Sequence, residues 1–98
     1  MPYSTYVLYS RIIKKFYVGY TGNLPKRMEQ YNMGQAGFTS VGAPWKVIWF
    51  KEFNSKLEAI NLEQKLKNLT RRRKVKFMLK YQKYLYNEAA LNILNGMS

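Results

Sequence analysis

Four side chains in this sequence have the types that could hydrolyse a phosphodiester with one metal ion: Tyr6, Tyr17, Arg27 and Glu63. That reaction needs a water that gives up its proton, positive charge on the phosphate, and stabilisation of the departing oxygen. A carboxylate can hold one divalent ion, an arginine fork can clamp a phosphate, and a phenol can orient or deprotonate the water. With no His and no Cys, the usual zinc ligands, thiolate sites, disulfides and the commonest general base are all excluded. The acids are Glu29, Glu52, Glu58, Glu63 and Glu88 alone, too few for a pair of ions held by several carboxylates. Glu52 falls at a strand end, Glu58 belongs to a helix cap, and Glu88 lies in the C-terminal tail. One hard ion such as Mg²⁺, held mainly by one carboxylate with substrate oxygens and water, suits this inventory better.

Seventeen Lys and Arg against five acids give 98 residues a net charge of +12, a field that attracts polyanions. DNA, RNA and anionic membrane are the candidates, and basic ribosomal and histone-like proteins share this composition. A hydrophobic share of 47% is enough for one packed core. No apolar run approaches a membrane span, and Met1 to Ser10 does not read as a secretory signal. A cytoplasmic, nucleoid-associated protein with no membrane role is expected.

The elements that must position these residues are legible from pattern. Tyr6 to Tyr9 and Phe16 to Tyr20 are β-branched or aromatic runs joined by a short polar link, an antiparallel hairpin. Asn23 caps a helix from Leu24 to about Met33, with Pro25 in its first turn. Gly34 to Pro44 reads as a loop, and Trp45 to Phe50 as a third strand covered on both faces. Ser55 and Glu58 form a capping box that opens a second helix, whose Ala59, Leu62, Leu66 and Leu69 recur at core spacing. A third helix starts near Thr70, and Glu88 to Leu94 makes a short final one before Gly96.

With these elements in place the chain resembles the GIY-YIG nuclease superfamily, in its small single-domain bacterial branch. The second signature triplet stands as Tyr17-Val18-Gly19, while the first survives as Ser4-Thr5-Tyr6 with only its tyrosine. The segment Tyr20 to Met28 resembles the one where the family holds its arginine. Gly42 to Val47, Lys56 to Ala59 and Glu63 to Lys67 resemble the small branch closely. The likeness covers about residues 3 to 78. It implies an α+β fold, a three-stranded antiparallel sheet flanked by helices, and hydrolysis of DNA with Mg²⁺ or Mn²⁺. Many members carry His four residues beyond the arginine; here Tyr31 stands there, as a tyrosine does in the nuclease subunit of bacterial excision repair. Residues 1–80 are expected to form the nuclease-like domain and 81–98 a helical extension packed on it.

Within that frame the roles follow. Glu63 lies on the margin of its helix's apolar stripe; spacing alone leaves open a solvated carboxylate paired with Lys67, and the resemblance makes it the metal ligand. Arg27 clamps the phosphate and Tyr31, one turn on, shares its network or packs. Tyr6 and Tyr17, on neighbouring strands, face the attacking water, and neighbouring positive charge can lower a phenol's pKa. Gly19 permits close backbone approach beside the site. Tyr20 and Lys26 are further phosphate contacts, and Arg71, Arg72, Arg73, Lys74 and Lys76, continuing to Lys80 and Lys83, form a track for the nucleic-acid backbone. Tyr81, Tyr84 and Tyr86 interleave with the end of that track and can stack on unpaired bases. The expected function is a structure-selective endonuclease of DNA repair or recombination. The rival is a non-catalytic module that binds DNA or RNA, working with a protein partner or as a homodimer.

Overall fold

The computed structural model describes residues 2–32 and 41–97. Along the chain they form β1 (Tyr3–Ser10), β2 (Lys15–Thr21), α1 (Leu24–Asn32), β3 (Trp45–Phe53), α2 (Lys56–Lys67), α3 (Arg71–Lys80), one 3₁₀ turn (Gln82–Tyr84) and α4 (Glu88–Asn95). The three strands make one antiparallel sheet in the order β2-β1-β3, flanked by helices, as expected. The expected end of the first helix at Met33 and most of the loop from Gly34 lie outside the described residues.

β1 is longer than its apolar run because a central strand is paired on both sides. Its polar members Ser4, Thr5 and Ser10 therefore join the ladder and are buried. Two of their hydroxyls donate to carbonyls, Thr5 Oγ1 to Ala59 at 2.7 Å and Ser10 Oγ to Gly42 at 2.7 Å. β3 likewise runs on to Phe53, opposite Tyr3. Between the pairs Val7–Trp49 and Leu8–Val47 the register slips, so Ile48 is an extra residue in β3. The bulge turns Trp49 to the face opposite Trp45 and Val47. A tryptophan is thereby given to each core.

Alternation along β1 divides the packing. Val7 and Tyr9 face α2, α3 and α4 with Ile48, Trp49, Leu66, Met78 and Leu94. Tyr6 and Leu8 face α1 with Tyr31 and Trp45. Ala90 and Leu94 of α4 are buried in the first of these cores. Each helix starts at a polar cap: Asn23 accepts from the Lys26 amide at 3.2 Å, Ser55 from Glu58 at 3.4 Å, Thr70 from Arg73 at 3.2 Å and Asn87 from Ala90 at 2.9 Å. The outer edge of β3 is met by the segment after the 3₁₀ turn, where the Tyr86 amide donates to Ile48 O at 2.9 Å and Leu85 bridges Trp49.

Candidate active site

Tyr6 and Tyr17 project from one face of the sheet because Tyr6 pairs with Gly19 and Leu8 with Tyr17, two positions along the same pleat. Gly19 is what lets the Tyr6 ring lie flat across β2. A Cβ at that position would stand 2.5 Å from Tyr6 Oη and 2.7 Å from its ring carbon. The space that Gly19 leaves is thus taken by a tyrosine of the site itself. The neighbouring helix α1 brings Arg27 and Tyr31 to the same place, one turn apart on one flank.

From the other side of the sheet α2 contributes Glu63, which is 6% exposed. Tyr6, Tyr17, Arg27, Tyr31 and Glu63, with Tyr20 and Thr21, line a single cavity of about 280 Å³. β2 is an edge strand, so side chains from helices on opposite faces can meet around it. All five of the tyrosine, arginine and glutamate residues lie on strands or helices rather than loops, and Tyr6 and Tyr31 are wholly buried.

The interior of the cavity is a phenol network. Tyr6 and Tyr31 hydroxyls share a hydrogen bond of 2.7 Å, and the Tyr31 ring meets the edges of Tyr6 and Tyr17 at centroid distances of 6.3 and 5.4 Å. Burial pushes the Tyr6 phenol above the ordinary tyrosine value, although its bond to Tyr31 and the Arg27 guanidinium pull the other way. Tyr31 is raised further, by burial first and then by the same hydrogen bond. Both are therefore neutral donors at neutral pH. At Tyr6 the lowering by the Arg27 charge is outweighed by desolvation. Arg27 is exposed, its guanidinium 5.4 Å from the Tyr31 ring and bonded to Gln30 Oε1 at 3.3 Å. Contact with the Tyr6 phenol raises it above the usual arginine value, so it stays charged.

Glu63 carries two local partners that the motif did not single out as functional. Gln64 Nε2 donates to its Oε1 at 3.0 Å, and Lys67 Nζ lies 3.6 Å from its Oε2. The Lys67 pairing is legible as an i,i+4 spacing; Gln64, the next residue along the helix, gives no such signal. The ion pair that read as an alternative to metal binding thus coexists with a place in the cavity. Among the described residues no three His, Cys, Asp or Glu side chains cluster. The donors present, one carboxylate and several phenols, fit a hard divalent ion that keeps water and substrate oxygens in most positions. Thr21 is a lining residue that no motif indicated.

The basic track divides. Arg71, Arg72, Arg73 and Lys76 are exposed on α3, and Lys26 on α1. Arg71, Arg72 and Lys76 line a separate cavity of about 430 Å³ with Val75 and Met97. Arg71 also ties α3 to the hairpin, donating to Lys14 O at 2.6 Å with its guanidinium 5.1 Å from the Phe16 ring. Lys74 is half-buried and donates to Leu69 O at 2.6 Å, closing the turn after α2. Burial lowers its pKa from the ordinary lysine value. With 3.6 residues per turn, four successive basic residues cannot all face water, and Lys74 is the one turned inward. Of the late tyrosines, Tyr84 packs on Trp49 at 5.6 Å, while Tyr81 and Tyr86 stay exposed.

This sheet, with its tyrosine, arginine and glutamate cavity, is matched in sequence by the GIY-YIG catalytic domain over residues 2–76. The chain belongs to the GIY-YIG family, a nuclease superfamily whose members generally use divalent metal ions and act on nucleic acid. Within it, the chain is similar to UPF0213 proteins, a small GIY-YIG group. It is 40% identical over 65 residues to one from Pediococcus pentosaceus, covering 65% of this chain and 68% of the relative. A second, from Limosilactobacillus reuteri, is 40% identical over 80 residues, covering 79% and 82%. The solution NMR structure of the UPF0213 protein of Bacillus halodurans superposes with a TM-score of 0.52 at 28% identity, covering 86% of this chain and 87% of that one. Among the described residues no helix is long and apolar enough to cross a membrane.

Proposed function

We propose that this chain is a divalent-metal-dependent endonuclease that hydrolyses DNA phosphodiesters at the tyrosine-lined cavity. The observation that carries this reading is the meeting of Tyr6, Tyr17, Arg27, Tyr31 and Glu63, drawn from two strands and two helices, on one concavity. The chain's substrate is branched, flapped or single-stranded DNA of the kind met in repair and recombination, since no described residue is assigned as a reader of duplex base edges.

The chemistry assigns each group by its surroundings. Arg27, exposed and permanently charged, grips the scissile phosphate. Tyr6 and Tyr31, held neutral by burial, donate hydrogen bonds and fix the floor of the cavity. Tyr17 is the half-buried phenol of the three, and is the one placed to orient the attacking water and take its proton. Glu63 would hold Mg²⁺ or Mn²⁺ in place of its contact with Lys67. When bound, such an ion supplies charge neutralisation on the phosphate and lowers the pKa of water. Tyr20 and Lys26 at the rim, and the exposed Arg71, Arg72, Arg73 and Lys76, hold flanking phosphates; Lys74 serves the fold instead.

The test is incubation of labelled branched, single-stranded and duplex DNA with Mg²⁺, Mn²⁺ or chelator, using the native chain and Glu63→Ala. Metal-dependent cutting that drops by about a thousandfold in the variant supports the assignment. Binding without cutting on every substrate would instead make the chain a non-catalytic DNA or RNA module.

A further inference from the structure

Next to the candidate active site, on the same face of the sheet, lies a second cavity of about 540 Å³ with a different lining. The two share the β2–α1 turn and the first helix: Thr21 and Arg27 line the first, Gly22 and Met28 the second. They also share β1, where Ser4 in the second cavity is two residues from Tyr6 in the first, about 7 Å along the strand. A nucleotide strand gripped at Arg27 therefore has this second hollow within reach of the adjoining residue.

Its lining is apolar and aromatic with one acid. Leu24 and Met28 of α1 form one wall; Phe50 and Tyr86, with ring centroids 6.3 Å apart, form the other. Tyr86 is 57% exposed, a large ring left at the surface beside a hollow. Ser4 and Glu52, also in the lining, are direct cross-strand partners, which sets a hydroxyl beside a carboxylate. Glu52 is exposed, and it is an acid kept within a chain of net charge +12.

We propose that this cavity receives an unpaired nucleobase of the bound strand, and that Glu52 selects bases by their amino protons, guanine first. A flat ring between apolar side chains and an aromatic pair gains stacking and dispersion whatever its identity. The carboxylate adds the discrimination, because it only accepts hydrogen bonds. Guanine presents two adjacent N–H groups on one edge, matched to two carboxylate oxygens. Cytosine and adenine present an amino group, and thymine presents one N–H between two carbonyl oxygens that the carboxylate repels. A basic peptide would also suit Glu52 but is repelled by the rest of the chain, whereas a nucleic-acid strand is drawn to it. The inference rests on the nuclease reading only in placing the strand at Arg27.

The experiment measures binding in the presence of chelator, so that no strand is cut. Fluorescence anisotropy compares oligothymidine carrying one central guanine, adenine, cytosine or thymine. The guanine oligonucleotide should bind about tenfold more tightly than all-thymine. Glu52→Gln should erase that advantage, with all-thymine binding rising as the repulsion of its carbonyl oxygens is removed, and Tyr86→Ala should weaken all four alike. Equal binding of the four by the native chain, or a preference that survives Glu52→Gln, overturns the proposal. Metal-dependent cutting without base preference would sink this inference alone, and base preference without cutting would sink the nuclease reading alone.

Discussion

The two faces of the sheet are packed from different kinds of side chain. Behind the sheet, Val7, Ile48, Trp49, Leu66, Met78 and Leu94 make an apolar core that three helices close. In front, Tyr6, Tyr31 and Trp45 are buried with Leu8, and the phenol hydroxyls need partners. They find them in one another and in the rim of a cavity. The first face gains from area removed from water, and its energy is spread over many contacts. The second depends on a few directional contacts, each of which a single atom can break. A site that must keep polar atoms at fixed positions is built on the second kind of face, with the first kind holding the sheet still.

The contrast can be broken most severely from behind. Trp49→Ala should cost about 3–5 kcal/mol in urea unfolding, by emptying the back core, and the variant should be the least stable of those considered. Glu63→Gln should do the opposite: stability within about 1 kcal/mol of the native chain, since its ion pair is partly exposed, with metal-dependent cutting lost. If that variant unfolds instead, Glu63 belongs to the packing and not to the site.

Gly19→Ala sits between these cases. The new Cβ must displace the buried Tyr6 ring, costing about 1–3 kcal/mol and separating Tyr6 from Tyr31. Thermal unfolding and cleavage should both fall, and unchanged cleavage would mean that Tyr6 is not positioned by this glycine.

The hydroxyl pair itself gives a smaller, sharper effect. Tyr6→Phe or Tyr31→Phe alone removes the shared hydrogen bond, about 0.5–1.5 kcal/mol, while the double variant should be less destabilised than the sum. Additive losses would show that the pair is not coupled. The same burial sets a pH dependence. Tyr6 and Tyr31 hold their protons more tightly folded than unfolded, where tyrosines titrate near about 10. Stability from these groups is therefore complete below about pH 10 and declines as pH rises above it, by up to about 1.4 kcal/mol per unit for each group. Tyr31→Phe should flatten that decline in melts between neutral and strongly alkaline pH.

Much of this was visible before folding. The caps at Asn23 and Ser55 were read from sequence, and Thr70 and Asn87 prove to cap the other two described helices in the same way, each through a bond between residues three apart. Two β-branched or aromatic runs joined by a short polar link placed the hairpin, and the basic excess pointed to nucleic acid. Less visible were contacts that depend on register. The bulge at Ile48 decides which face Trp49 occupies, and no alternation rule announces an extra residue. The inward turn of Lys74 was hidden in a run of like charges.

The sequence alone determined the inventory: one carboxylate at helical spacing, phenols on strands, an arginine on a capped helix, and too few acids for two ions. Composition and short-range spacing specify these because propensity and capping act within a turn or a strand. Only the tertiary structure decided that Glu63 on α2 meets Tyr6, Tyr17, Arg27 and Tyr31 around the edge of β2. It also decided that burial holds the Tyr6 and Tyr31 phenols above the ordinary tyrosine value. Both outcomes depend on how far each group is removed from water, which packing sets and the order of residues does not state.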